Sequence, residues 1–152
     1  MFETAISLDA NDLNARTALA VLMNSTGQPE KTLALIAENF RRSPRDTGSD
    51  VWRVNLGHAH LLLGQYELAI EHLVIALATR PDALLPHTYL AAAYAQMGDL
   101  ASARAVLAEA IKLEPDLTIA WLKANTDGAD ANYFRLAEGT LYDGLRKAGL
   151  AE

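Results

Sequence analysis

The chain has 152 residues, 51% of them hydrophobic and 21% charged, with a formal charge of −6. That is enough apolar side chain for one domain with a continuous core, and the acidic balance argues against a phosphate-binding surface, which needs a concentrated basic face. Cysteine is absent, so disulfides, thiolate metal sites and cysteine nucleophiles are excluded together.

The opening "MFETAISLDANDLNAR" carries acidic residues where a secretory signal would carry basic ones, and no long apolar region follows. No stretch of about 18 uncharged apolar residues occurs anywhere, so no membrane span is expected. A cytoplasmic location is the expectation.

Residues 13–49 form the first periodic unit. Leu19, Ala20 and Met23 recur at helical spacing, Gly27 interrupts them, Thr32, Ile36 and Asn39 resume the spacing, and Pro44 closes it. "FRRSPR", Phe40 to Arg45, is the sole basic cluster and reads as a solvated helix end whose arginines offset the C-terminal dipole. "TGS", Thr47 to Ser49, is inserted before the next unit.

Residues 50–83 and 84–117 repeat the pattern 34 apart. Leu56 aligns with Leu90, Gly57 with Ala91, His60 with Tyr94, Gly64 with Gly98, Ala69 with Ala103, Leu73 with Leu107, Ala76 with Ala110, and Pro81 with Pro115. Each unit therefore reads as helix, turn, helix. The glycine supplies the left-handed turn, "GD" or "GQP" starts the second helix with a cap or an early proline, and the small residues allow close helix approach. Shifted back once more, the register places Phe2 over Ile36, Ala5 over Asn39 and Ala10 over Pro44, so 1–12 reads as the second helix of a truncated repeat.

Residues 118–152 read as a partial repeat and a terminal helix. Trp121 fits the opening aromatic of a fourth unit, but "ANTDGAD" breaks it. Phe134, Ala137, Leu141, Leu145 and Ala148 then share one stripe, Arg146 and Lys147 fall in the last turn, and Gly149 ends it. Covering the apolar face of the last repeat is the expected role, because a solenoid end needs a cap.

This register and signature resemble the tetratricopeptide repeat, with its 34-residue period and W-x2-L-G-x2-Y, A-x3-F, P pattern. Units two and three keep most of it, although Arg53 stands in the aromatic slot and His60 in the tyrosine slot. The resemblance implies an all-α fold, a right-handed α-solenoid of helix-turn-helix repeats with a C-terminal capping helix. It also implies a protein or peptide ligand held in a groove lined by the first helix of each pair. That lining is Asn14, Thr17, Val21 and Asn24 from unit one, Val51, Val54, His58 and Leu61 from unit two, and Leu85, Thr88, Ala92 and Ala95 from unit three. The family's carboxylate clamp of lysine, arginine and asparagine finds only Asn55 here, with Leu85 and Tyr89 in the basic places, so an acidic C-terminal ligand is not expected. The alternative is a self-associating structural domain whose groove is filled by its own last helix.

Among enzyme chemistries, no G-x-S-x-G, no phosphate loop and no paired carboxylates can be written over the sequence. His58 and His60 are two apart on a helix and point to different faces, which disfavours zinc. Glu67, Glu71, Glu109 and Glu114 fall on polar helix faces. The expectation is no enzymatic activity, no cofactor and no metal.

"NLGHAHLLLGQYELAI", "HTYLAAAYAQMGDLASAR" and above all "DGLRKAGL" look like the C-terminal repeat region of bacterial class III adenylate or guanylate cyclases. That likeness implies a regulatory or partner-binding module of a larger signalling protein, with catalysis upstream. A homodimer through the edge formed by Phe2, Ala5 and Ile6 is a further expectation.

Overall fold

The computed structural model describes residues 12–45 and 49–152. The edge formed by Phe2, Ala5 and Ile6, the truncated-repeat assignment for 1–11, and Thr47 and Gly48 of the insertion lie outside the described residues. Ser49 begins a helix.

Three helix pairs follow one another: α1 (Leu13–Ser25) with α2 (Pro29–Arg42), α3 (Ser49–Leu62) with α4 (Tyr66–Thr79), and α5 (Leu84–Gln96) with α6 (Leu100–Leu113). A short α7 (Ile119–Ala124) leads to α8 (Ala131–Ala137). That helix passes through a wide π-helical turn (Glu138–Tyr142) into α9 (Asp143–Ala148). Within each pair the helices pack tightly, and α2 packs on α3 and α4 on α5, so pairs stack in chain order. The first helices α1, α3 and α5 also meet one another and form one face of the stack.

The turn inside each pair is the same object three times. Gly27, Gly64 and Gly98 all have positive φ, at 71°, 74° and 84°. The residue after each glycine is the sixth of a Schellman turn and donates to the carbonyl of the first: Gln28 to Met23 O, Gln65 to His60 O and Asp99 to Tyr94 O. After the turn, Pro29 takes an early helical position and Asp99 accepts from Ser102 N–H, whereas Gln65 makes no side-chain cap.

The repeat register is the core register. Leu19, Ala20, Ile36, Leu56, Ala69, Leu73, Ala76, Leu90, Ala91, Ala103, Leu107 and Ala110 are all buried. Gly57 allows α3 and α4 to close up, since a Cβ there would lie 2.5 Å from Leu73 Cγ.

The last helix departs from the expected stripe. Its buried row runs Tyr133, Ala137, Leu141 with Tyr142, Leu145 and Ala148, while Phe134 is half-buried. The π turn adds a residue to one turn, which brings both Leu141 and Tyr142 inward. The amide of Gln96 reaches the loosened carbonyls there, donating to Thr140 O at 2.9 Å and Gly139 O at 3.4 Å.

Candidate functional site: the face lined by the first helices

The last helix crosses this face as well as covering the third repeat. At its start Asp130 N–H donates to Ser25 O, and Asn132 Nδ2 to Gly27 O at 2.9 Å, which anchors it on the end of α1. At its middle Tyr133 OH lies 3.0 Å from His58 Nε2 on α3. At its end α9 packs along α5 so closely that a Cβ on Gly144 would lie 2.6 Å from Ala92 O.

That crossing divides the twelve lining residues. Leu61 of α3 and Thr88, Ala92 and Ala95 of α5 are buried and present no open surface; α5 packs against the last helix. Thr17 is spent in the seam between units one and two, where its hydroxyl receives bonds from Trp52 Nε1 and Asn39 Nδ2, both at 3.0 Å. Asn14 is exposed on α1. Val21, Val51 and Leu85, one from each first helix, stay 45%, 37% and 42% exposed. Asn24, Val54 and His58 line what lies between them and the last helix.

What lies between is a cavity of about 300 Å³, walled by Val21, Asn24, Val54, His58, Leu85, Tyr133 and the Asn125–Asp127 turn. A second cavity of about 340 Å³ between units two and three, lined by Val51, Leu84 and Pro86, shares Val54 and Leu85 with the first. The first cavity lies beside the last helix; the second is flanked by Asp50 and Arg80 as well as by its apolar residues.

His58 is the most constrained polar group in it. Its ring stacks on Tyr89 at 4.1 Å between centroids and meets Tyr133 edge-on at 5.6 Å. Burial holds its pKa down at about 3, so the imidazole is neutral, and burial likewise pushes the Tyr89 and Tyr133 hydroxyls above the usual tyrosine range. His60 faces the other way, its ring stacked on His72 of α4, so the two histidines do point to different faces. Asn55 is buried and donates to Val51 O, while Tyr89 is buried in the histidine stack. Among the described residues no group of three or more His, Asp or Glu is gathered as a metal site would need.

Trp52, one residue before the expected aromatic slot, was not legible as a packing anchor. It is buried edge-on against Phe40 at 5.1 Å, and Arg53 instead lays its guanidinium over the outside of that ring at 5.4 Å. The closing "DGLRKAGL" has a packing explanation at five of its positions, buried Ala148 among them. Gly144 permits the approach to Ala92, Leu145 and Leu150 are buried, and Gly149 takes the left-handed conformation that ends α9.

A tetratricopeptide repeat family model matches residues 60–126. Among solved structures, the crystal structure of MamA superposes with a TM-score of 0.66 at 20% identity, covering 97% of this chain and 82% of that one. No curated protein matches. The fold is an all-α, tetratricopeptide-type solenoid of helix-turn-helix repeats. No helix among the described residues is long and apolar enough to cross a membrane.

Proposed function

We propose that this protein is a protein-interaction module that receives part of a partner on the face lined by its first helices, beside the last helix. The observation that carries this reading is the row Val21, Val51 and Leu85, exposed one per first helix and lining two neighbouring cavities. Apolar side chains held in line over an unfilled cleft suit anchors from an extended or helical segment. The tetratricopeptide-type fold supports the reading, since stacked repeats present an extended surface along one side.

The wider context we propose, a regulatory part of a larger cyclase-like protein, rests on the likeness of the two repeat stretches and above all of the closing residues, which have the packing roles given above. A cytoplasmic site of action belongs to the same reading.

The test is selection from a random-peptide library followed by binding to the Val51→Asp, Leu85→Asp double variant. Both side chains are exposed, so helical content should be unchanged. The expected result is loss of about tenfold or more in affinity, the scale set by removing two apolar anchors and placing carboxylates there. Equal affinity in the variant moves the binding surface elsewhere, and failure to enrich any peptide overturns the reading.

A further inference from the structure

The three repeat turns share a backbone and differ in what covers them. A Cβ built on Gly98 would meet nothing within 4 Å, and one on Gly64 only the Tyr66 hydroxyl at 3.9 Å, whereas on Gly27 it would lie 2.4 Å from Asn132 Nδ2. The turn of unit one is thus covered by a residue 105 positions further along the chain. Asn132 Nδ2 donates to Gly27 O at 2.9 Å and to Thr26 O at 3.3 Å, and Asp130 N–H donates to Ser25 O at 3.2 Å. Carbonyls at the end of a helix lack partners within it, so these donors meet a standing demand.

Unit one needs such a hold. The large apolar cluster, which runs from Leu61 to Leu150, contains no residue of α1 or α2. Unit one joins the rest through α2 packed on α3, the small nucleus of Ala20, Ile36, Trp52 and Leu56, and polar contacts such as Asn24 Nδ2 to Asn55 O at 3.2 Å. The covering segment is rooted on the other side, because Tyr133, next to Asn132, belongs to the large cluster and bonds His58. In a stack of repeats each unit is held mainly by its neighbours, and one outside the main core opens most easily. We infer that residues 125–132 are a latch: unit one opens as a block of its own, and the contact of Asn132 with the Gly27 turn sets how often. The 300 Å³ cavity lies at this joint, with Val21, Asn24 and Ser25 on the side of unit one and Asn125, Thr126 and Asp127 on the side of the latch. Resting on the interaction reading above, a partner segment seated there touches both sides and holds unit one shut.

Native-state hydrogen exchange on the whole chain reads this opening. Amides of α1 and α2 should exchange through one shared opening and be less protected than those of α4 to α6. Asn132→Asp turns a carboxylate toward the Thr26 and Gly27 carbonyls, while an acid in the first turn of α8 suits the start of that helix. It should speed exchange in α1 and α2 about tenfold, the scale of one or two lost hydrogen bonds, and leave α4 to α6 unchanged. Asn132→Ala, which removes the donor without adding charge, should act in the same place by about threefold. Acceleration spread evenly over the chain means that unit one is no separate block, and no acceleration in either variant means that Asn132 is a bystander; both overturn the latch. The peptide selected above, at about ten times its dissociation constant, should slow exchange in α1 and α2 of the unaltered chain about tenfold. Unchanged exchange there overturns the closing by a partner. If no peptide is enriched the interaction reading falls, and the exchange pattern of the two variants still decides the latch.

Discussion

The seam between units one and two and the region from Leu61 to Leu150 solve the same packing problem with different chemistry. The second is one large apolar cluster, running from α3 through the last helix and built on alanine, leucine and buried tyrosine. The first has a small apolar nucleus of Ala20, Ile36, Trp52 and Leu56. Around it lies a buried polar network, in which Arg16 donates to Asn39 Oδ1 at 2.8 Å, Asn39 and Trp52 donate to Thr17, and Thr32 donates to Ala20 O. The positions correspond: Asn39 and Thr32 occupy the register of Ala76 and Ala69. A repeat thus needs its register filled and its buried polar groups partnered, and side chains other than alanine meet that demand when hydrogen bonds follow them.

The largest effect should come where helices touch through backbone. Gly144→Ala drives a methyl into the carbonyl and Cα of Ala92, neither of which can rotate away, so a loss of about 3 kcal/mol or more in urea unfolding is expected. Gly57→Ala meets Cγ of the fully buried Leu73, which shifts only by repacking its neighbours, so about 2 kcal/mol is expected, less than at Gly144 because no backbone atom is struck and alanine has the better helix propensity. Equal costs at the two sites would mean that the last helix is not seated on α5 as closely as the second repeat is on itself.

The next contrast is in pH. His58 titrates at about 3 in the folded chain against an ordinary 6.5, so the unfolded chain takes up the proton first as pH falls. Its contribution is complete above pH 6.5 and is lost progressively below it, toward pH 3. Between pH 6.5 and 4.5, the ordinary histidine and glutamate values, the loss is about 2 kcal/mol or more. Burial lowers half-buried His72 in the same sense, so the comparison is with His58→Phe, whose stability should fall less steeply over that range. Tyr89 and Tyr133, the rings facing His58, stay neutral throughout. Parallel pH profiles for the two proteins would remove His58 as the acid-sensitive point of the C-terminal region.

The polar seam can be tested by subtraction and replacement. Asn39→Ala leaves Arg16 and Thr17 short of one partner each inside the seam and should cost about 2 kcal/mol. Replacing Arg16 and Asn39 together by leucine should recover part of that loss, because no buried guanidinium is then left short of the Asn39 oxygen and Thr17 still receives the Trp52 indole N–H. A double variant worse than the single one would show that the network is irreplaceable.

Much of this difference was visible in the residues, and part was not. Helix pairs, turns and buried register followed from Gly27, Gly64 and Gly98 and the 34-residue spacing, because backbone handedness and helical period are local properties. Asn39 was legible as a departure from alanine but not as a hydrogen-bonded one, since its partners Arg16 and Thr17 lie more than twenty residues away, on another helix. The lining is read helix by helix, and of its residues Val21, Val51 and Leu85 are exposed. Leu61, Thr88, Ala92 and Ala95 are buried, and choosing between an open groove and one covered by the last helix needs the path of that helix, which is a long-range fact. The π turn at Glu138–Tyr142 left no periodic signal beyond the adjacent Leu141 and Tyr142, and so the stripe was drawn from Phe134 when Tyr133 is the buried residue.

The smallest expected effect concerns how helices begin in the two regions. Gln65 starts α4 with no side-chain cap, directly after the glycine turn, so the turn itself sets the helix. Thr118 starts α7 in extended conformation with its hydroxyl accepting from Trp121 N–H at 3.0 Å, and no glycine turn precedes it. A six-residue helix is too short to hold itself by propagation, so its first turn depends on that cap and on the Ile119 N–H bond to Ala151 O. Thr118→Ala should therefore cost about 1 kcal/mol, and Gln65→Ala nearly nothing, in the same unfolding assay. Hydrogen exchange adds the location: Trp121 and Leu122 should lose protection in Thr118→Ala while amides of α3 and α4 do not. If Thr118→Ala and Gln65→Ala are indistinguishable and Trp121 keeps its protection, then α7 is held by the buried side chains of Ile119 and Leu122 alone, and the cap is incidental.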